Sequence, residues 1–150
     1  MALSSLDPDE FYTDSCASDH VSRRKDWMVN YDDKVNTTFH TADNGKLSCG
    51  GMGNVPITLY NAHDGYTEKA TVTKVKYSPA AAANLLSVYQ MTERGHVLVF
   101  NDTGFDAYDV DKIKIKGSVK FTGTQTGGIY KLDKPSDVAV QTGLKRKLFF

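Results

Sequence analysis

Residues 11–18 carry the side chains best suited to chemistry. Here the carboxylate of Asp14 and the hydroxyl of Ser15 directly follow an apolar run and precede small residues that permit a tight turn. A carboxylate at such a place suits acid–base catalysis, since two carboxylates close together around one water can share a proton. An Asp-Ser pair after a strand is also a common turn or helix cap, so the pair alone leaves both interpretations open.

The elements that must position this segment are mostly β-strands. Short runs of β-branched and aromatic residues recur between glycine, asparagine and aspartate, a pattern typical of strands and turns. Apolar and polar residues alternate most clearly in 71–77 and 112–116, as in strands with one buried face. The predicted strands cover residues 11–14, 36–41, 54–60, 68–77, 97–100, 105–110, 112–121 and 129–132.

One helix is predicted over residues 81–94. Alanines open this stretch, apolar residues follow at helical spacing, and Gly95 ends it. A weaker helical or irregular stretch is expected over residues 19–30. Turns are marked at 43–45, 64–65, 101–104 and 126–128.

The composition fits one compact domain, or one domain plus a short appendage: 150 residues, of which 40% are hydrophobic and 24% charged. Eighteen basic residues balance eighteen acidic ones, so net charge attracts neither nucleic acid nor anionic lipid. No apolar run approaches the roughly 20 residues of a membrane helix. We therefore expect no membrane partner. We also disfavour a nucleic-acid partner, because only a lysine-rich strand and a basic tail favour one. The first residues lack the regions of a secretion signal, which predicts an intracellular setting.

Residues 14–21 add context to the Asp-Ser pair. Asp14-Ser15-Cys16-Ala17-Ser18-Asp19-His20-Val21 resembles the Asp-Ser-Gly-Ala-Ser-x-His-apolar signature of copia-type retrotransposon proteases. Further resemblances follow in the family's order: an Ala-Asp-Gly turn at 42–45, a glycine-rich segment at 50–55, a strand at 72–79, the Asn-Leu-Leu-Ser-Val run at 84–88, a glycine and strand at 95–100, and at 127–132 the opening of the segment that joins protease to integrase.

The resemblance implies a retropepsin-like fold, a mostly β closed barrel or sheet with one short α-helix at about 81–94 and a C-terminal β extension. It divides the chain into a lead-in at 1–10, a protease domain at 11–110 and an extension at 111–150 that begins the protease–integrase connection. The helix would pack on the sheet through Leu85, Leu86, Val88 and Met91.

The resemblance also implies an aspartic endopeptidase that cleaves its own polyprotein. Because the chain has one Asp-Ser-x-Ala segment and the chemistry needs two aspartates, the enzyme would be a homodimer with Asp14 from each copy. Ser15 would brace the two active-site loops and Ala17 would lie near the substrate backbone. No cofactor or metal is implied, and the setting would be the cytoplasm, including virus-like particles.

A glycine-rich flap is the second implied part of the site. It would close over an extended peptide of the polyprotein, since glycine accepts the necessary backbone angles cheaply. An ordinary tight turn is the alternative for this segment. The flap and substrate-binding residues would be Gly50, Gly51, Met52 and Gly53.

Cys16 departs from the family, which has glycine at this position. A strained loop would cost about 1–3 kcal/mol. The departure favours a second hypothesis, in which the chain is a catalytically impaired or domesticated protease-like fold acting as a binding or assembly module. A nucleophilic role for Cys16 would need a histidine base, which no spacing identifies. Zinc is disfavoured as well, since no Cys-x-x-Cys or His-x-x-x-His pair occurs.

Overall fold

A computed structural model describes residues 6–40 and 46–134 of the chain. Strands dominate these residues, accompanied by one short α-helix and a 3₁₀ turn at Lys25–Trp27. The mostly β fold with one short helix is confirmed. The elements are β1 (Phe11–Asp14), β2 (Val21–Ser22), β3 (Val29–Asp32), β4 (Thr38–His40), β5 (Lys46–Ser48), β6 (Gly51–Tyr60), β7 (Thr67–Tyr77), β8 (Asn84–Ser87), α1 (Val88–Glu93), β9 (His96–Phe100), β10 (Phe105–Asp109), β11 (Gly123–Thr126) and β12 (Ile129–Leu132).

Six strands form the main sheet, in the order β1-β8-β2-β7-β6-β3. The β1–β8 and β2–β7 pairs are parallel, and the other pairs are antiparallel. Across the described residues the sheet is open, with β1 and β3 as its edges, so the expected closure into a barrel is not observed. Three two-stranded ribbons, β4–β5, β9–β10 and β11–β12, stand beside the sheet.

Strands β6 and β7 continue beyond the sheet as a long hairpin, here called the β6–β7 arm. Its tip is a turn at residues 61–66, in which the Asn61 amide donates to the Tyr66 carbonyl at 2.8 Å. Most of the distal arm is exposed, including Tyr60 and Tyr66. At the tip, His63 Nε2 lies 2.9 Å from a carboxylate oxygen of Asp106 on β10. The arm therefore reaches from the sheet to the β9–β10 ribbon.

The apolar core is small, and several buried side chains are polar. Buried apolar residues are Val21, Cys49, Val55, Val75, Ala81, Ala83 and Val88, and buried polar residues are His20, Ser22, Ser78, Asn84 and Ser87. Such a core must satisfy its polar groups internally, because water cannot reach them.

The Asn84 side chain forms four hydrogen bonds in this core. Its side-chain amide donates to the carbonyl oxygens of Pro8, at 2.7 Å, and Glu10, at 3.1 Å. Its side-chain oxygen accepts from Ser22 Oγ at 3.0 Å and from the Arg23 amide at 2.8 Å. Asn84 thus ties β8 to the segments before β1 and after β2.

These bonds explain why the predicted helix at 81–94 is wrong in its first half. Residues 84–87 form β8, which pairs with β1, so Leu85 and Leu86 lie on a strand rather than on a helix. The helix begins only at Val88, which is buried as expected. Long-range hydrogen bonds outweigh the helix propensity of the preceding alanines, which is worth only a few tenths of a kcal/mol per residue relative to ordinary residues.

Two further predictions need correction. Residues 19–30 contain β2, the 3₁₀ turn and the start of β3, and no α-helix. Residues 112–121 form no strand, and the C-terminal β extension begins only at β11. Ile115 and Val119 are each 79% exposed, so the alternating pattern has no core against which to bury its apolar face. The predicted turn at 43–45 and the end of the strand at 36–41 lie outside the described residues.

Candidate active site

Asp14 is the last residue of β1 and the first of residues 14–19, here called the Asp14 loop. One of its carboxylate oxygens accepts the backbone N–H of Cys16 at 2.7 Å, which closes a turn of the Asx type. Asp14 is half-buried, whereas Ser15 and Cys16 are exposed. The predicted catalytic carboxylate thus lies at a strand end, next to two exposed residues.

The far side of the Asp14 loop is bonded to the start of α1. Ser87, opposite Asp14 in the parallel β1–β8 pair, donates its hydroxyl to the Ala17 carbonyl at 2.5 Å. The same hydroxyl caps the helix by accepting the Gln90 amide at 3.2 Å. Gln90 Nε2 donates in turn to the Ser18 carbonyl at 2.9 Å. Two successive carbonyls of the loop are therefore held by side chains at one helix end.

His20 is a buried hydrogen-bond acceptor in this arrangement. Its ring is 3% exposed, and Nδ1 accepts the Ser87 amide at 3.0 Å, which requires an unprotonated Nδ1. Burial, assisted by the positive charge of Arg94, lowers the pKa of His20 from 6.5 to about 4, against a smaller opposing effect of Asp19. His20 is therefore neutral at pH 7 and acts as a structural acceptor.

An ion pair fixes the C-terminal end of the Asp14 loop. The carboxylate of Asp19 lies 2.8 Å from Lys76 Nζ on β7 and accepts Ser18 Oγ at 3.2 Å. Both charged side chains are partly buried. The Asp14 loop is thus fixed to β7, β8 and α1.

Cys16 occupies its position without left-handed backbone. Among the described non-glycine residues, only Asn30 and Lys74 have positive φ angles. The loop therefore carries no left-handed backbone strain at Cys16. The Cys16 thiol is free and exposed, and Cys49, the other cysteine, is free and buried.

The glycine-rich segment lies elsewhere in the sheet. Gly51 and Gly53 belong to the first half of β6 and pair with Tyr77 and Val75 of β7. The sheet order puts β8, β2 and β7 between β1 and β6, so the segment does not adjoin Asp14 within the sheet. The free end of the hairpin is the arm tip at 61–66, well beyond these glycines.

Close packing gives these glycines a local role. A Cβ atom on Gly51, whose φ is +150°, would overlap the Tyr31 hydroxyl and lie 2.7 Å from the Asp32 carbonyl oxygen. A Cβ atom on Gly53 would lie 2.9 Å from Met28 Cβ. Glycine lets β6 approach β3 closely here. Flap and substrate-binding roles for Gly50, Gly51, Met52 and Gly53 stay predictions.

Ser87 and Gln90 were missed as partners of the Asp14 loop. Their signal was the Ser87-Val88-Tyr89-Gln90 sequence, a Ser-x-x-Gln capping pattern that marks a helix start at Val88.

Within the part of the chain that the structure describes, no group of three or more histidine, cysteine, aspartate or glutamate side chains could hold a metal ion, and no helix is long and apolar enough to cross a membrane.

Comparison with known proteins identifies a family that includes the strand, loop and sheet just described. No curated protein and no solved structure matches the chain. Residues 11–96, which run from the first residue of β1 to the first residue of β9, match the family described as Pol polyprotein, beta-barrel domain. This match spans more than half of the chain, which belongs to that family of retroelement polyprotein domains.

Proposed function

We propose that this chain is an aspartic endopeptidase of a copia-type retroelement polyprotein, retropepsin-like and active as a homodimer with one Asp14 from each protomer. The observation that carries the proposal is the Asp14 loop. Its carboxylate stands at the end of β1, while Ser87 and Gln90 hold the carbonyls of Ala17 and Ser18 behind it. Such support from rigid elements is what a catalytic group requires.

A pair of these loops would complete the chemistry. Two carboxylates held close share one proton, because like charges repel. The ionised carboxylate would activate a water molecule, and the protonated one would polarise the scissile carbonyl. One chain offers one Asp14 loop, and Asp19, the other loop carboxylate, is engaged by Lys76. A second protomer is therefore the natural source of the second carboxylate.

A groove of about 510 Å³ supports an extended peptide as substrate. Phe11, Trp27 and Leu86 line it together with residues 55–59 of β6, and the Phe11 and Trp27 rings lie 5.6 Å apart. The groove adjoins β1 and β8, the strands that end at Asp14 and Ser87. We infer that it accepts apolar side chains of the polyprotein, and that the β6–β7 arm covers the peptide.

Cleavage of a peptide that spans a polyprotein junction tests the proposal. The native chain should cleave it, Asp14→Asn should abolish cleavage, and Asp102→Asn, which alters an exposed turn carboxylate, should preserve it. Sedimentation should detect a dimer at the concentrations at which cleavage occurs. A native chain that cleaves as a strict monomer would refute the shared site.

Mixing protomers tests the shared site more directly. If each active dimer needs two Asp14 residues, equal amounts of native and Asp14→Asn chains should leave about one quarter of the dimers with both. Activity per dimer should fall accordingly after subunit exchange. Activity that falls only to one half would show that each protomer works alone.

Cys16 favours a second candidate, an inactive fold that serves as a binding or assembly module within the polyprotein. Its thiol stands exposed on the loop where the family has hydrogen, so it could obstruct a second loop or a substrate. An inactive native chain whose Cys16→Gly variant gains turnover would support this candidate. In either case we propose an intracellular setting, with the chain itself and polyprotein segments as partners.

A further inference from the structure

The β11–β12 hairpin lies beyond the residues that match the family, yet its turn touches the Asp14 loop. Gly128 in that turn is buried, whereas the strand residues on both sides are exposed. A Cβ atom on Gly128 would lie 2.6 Å from Ser18 Cβ and 3.3 Å from Tyr89 Cδ1. The turn therefore fits against the loop and α1 only because Gly128 lacks a side chain.

A second contact joins the same elements. The hydroxyls of Tyr130 on β12 and Thr92 on α1 lie 2.9 Å apart, within hydrogen-bonding distance. Ser18 is also the residue whose carbonyl accepts Gln90 from α1. It is therefore held between α1 and the hairpin turn.

The turn geometry distinguishes the residues that the hairpin turn itself requires from those that the contact with Ser18 requires. Gly127 and Gly128 form a two-residue connection with φ angles of +61° and +85°. Both positions of such a turn accept asparagine as well as glycine. Nothing lies within 4 Å of a Cβ atom on Gly127. The turn alone would thus tolerate asparagine at either position, and only the contact with Ser18 requires glycine at Gly128.

We propose that the β11–β12 hairpin is an intramolecular clasp that docks on Ser18 and α1 and holds the Asp14 loop in its conformation. An isolated two-stranded hairpin is marginally stable, so these contacts must supply much of its order. Contacts this few can open without global unfolding, which makes the loop sensitive to whatever displaces the hairpin. The inference concerns the loop backbone and holds whether or not the chain is a peptidase.

Hydrogen–deuterium exchange of the full 150-residue chain tests the clasp with a matched pair of variants. Gly128→Asn should accelerate exchange in residues 15–20 and in 123–132 by at least about fivefold, because it undocks the hairpin. Gly127→Asn, which keeps the same kind of turn, should leave both segments as in the native chain. Amides of β7 should be unchanged in both variants.

Three outcomes would overturn the proposal: equal exchange in the two variants, acceleration of the hairpin without the loop, or acceleration of the loop by Gly127→Asn. If Gly128→Asn unfolds the whole chain, β7 amides will exchange faster as well. Tyr130→Phe, which removes only the hydroxyl facing Thr92, then decides the matter. It should accelerate exchange in 15–20 by about twofold or more, and an unchanged loop would overturn the clasp.

Discussion

Acidification should destabilise the chain through the buried His20. The ring is buried, and protonation would turn Nδ1 from an acceptor into a donor facing the Ser87 amide. The pKa of His20 is lowered in the folded chain from 6.5 to about 4. Since the unfolded chain binds the proton first, the contribution of neutral His20 is fully present above pH 6.5 and is lost as pH falls towards 4.

The size of the loss follows from this difference in pKa. At 1.36 kcal/mol per pKa unit, a shift from 6.5 to about 4 corresponds to on the order of 3 kcal/mol at full protonation of the unfolded chain. By pH 5 the loss should reach roughly 2 kcal/mol. A small domain has only about 5–15 kcal/mol of stability, so this loss is easily measured.

Urea unfolding at pH 7, 6 and 5 measures this loss of stability, with the fluorescence of the single tryptophan, Trp27, as the signal. His20→Asn is the informative variant, because its side-chain oxygen can accept the Ser87 amide without titrating. Carboxylates titrate alike in both proteins, so the difference between them isolates His20. The native chain should lose about 2 kcal/mol more than His20→Asn between pH 7 and pH 5.

The control is His96→Asn, which removes an exposed histidine on β9 and leaves the His20–Ser87 hydrogen bond in place, so it should still lose more stability than His20→Asn between pH 7 and pH 5. Equal losses in native chain and His20→Asn would refute the reasoning. So would an NMR titration in which the His20 ring protonates near pH 6.5.

Three further changes test other parts of the structure. The hydrogen bond that the His63 ring donates to the Asp106 carboxylate raises the pKa of His63, so Asp106→Asn should move the NMR titration midpoint of His63 down towards 6.5; the stability from this pair is present below pH 6.5 and lost as pH rises through the raised pKa. Gly51→Ala should cost about 2–4 kcal/mol in urea unfolding, because its Cβ would collide with β3, whereas Gly65→Ala, at positive φ in open space, should cost about 1 kcal/mol; similar costs would contradict the packing argument. Ser78 Oγ is buried without a hydrogen-bond partner among the described residues, so Ser78→Ala should leave stability unchanged or raise it by up to about 1 kcal/mol, and a loss beyond 1 kcal/mol would show that the hydroxyl has a partner.

Local patterns were sufficient to predict the strand that carries the candidate site. β1 has the predicted bounds, Phe11–Asp14, and β12 has the predicted bounds as well. β7, β9 and β10 differ from prediction by one residue at one end. In these segments the apolar and β-branched residues are themselves the cause of strand formation, so the sequence pattern and the structure agree.

Non-local hydrogen bonds explain what local patterns missed. β8 has the sequence of a helix start, but Asn84 binds Pro8 and Glu10, more than 70 residues earlier in the chain. The supports of the Asp14 loop are of the same kind, since Ser87 and Gln90 meet Ala17 and Ser18 only after β8 pairs with β1. The position of Asp14 could therefore be predicted from the sequence, whereas the groups that hold it could not.

The effect of Cys16 must be argued from its surroundings rather than from backbone strain. Because its φ is not positive, Cys16→Gly relieves no left-handed conformation and instead frees the unfolded chain, at a cost of roughly 0.4–1 kcal/mol. The exposed thiol can obstruct only what approaches the loop from outside, namely a second protomer or a peptide. If Cys16→Gly increases turnover while lowering stability, the gain must come from added room for a second protomer or for a peptide. An increase in both turnover and stability would instead show strain in the loop and contradict this account.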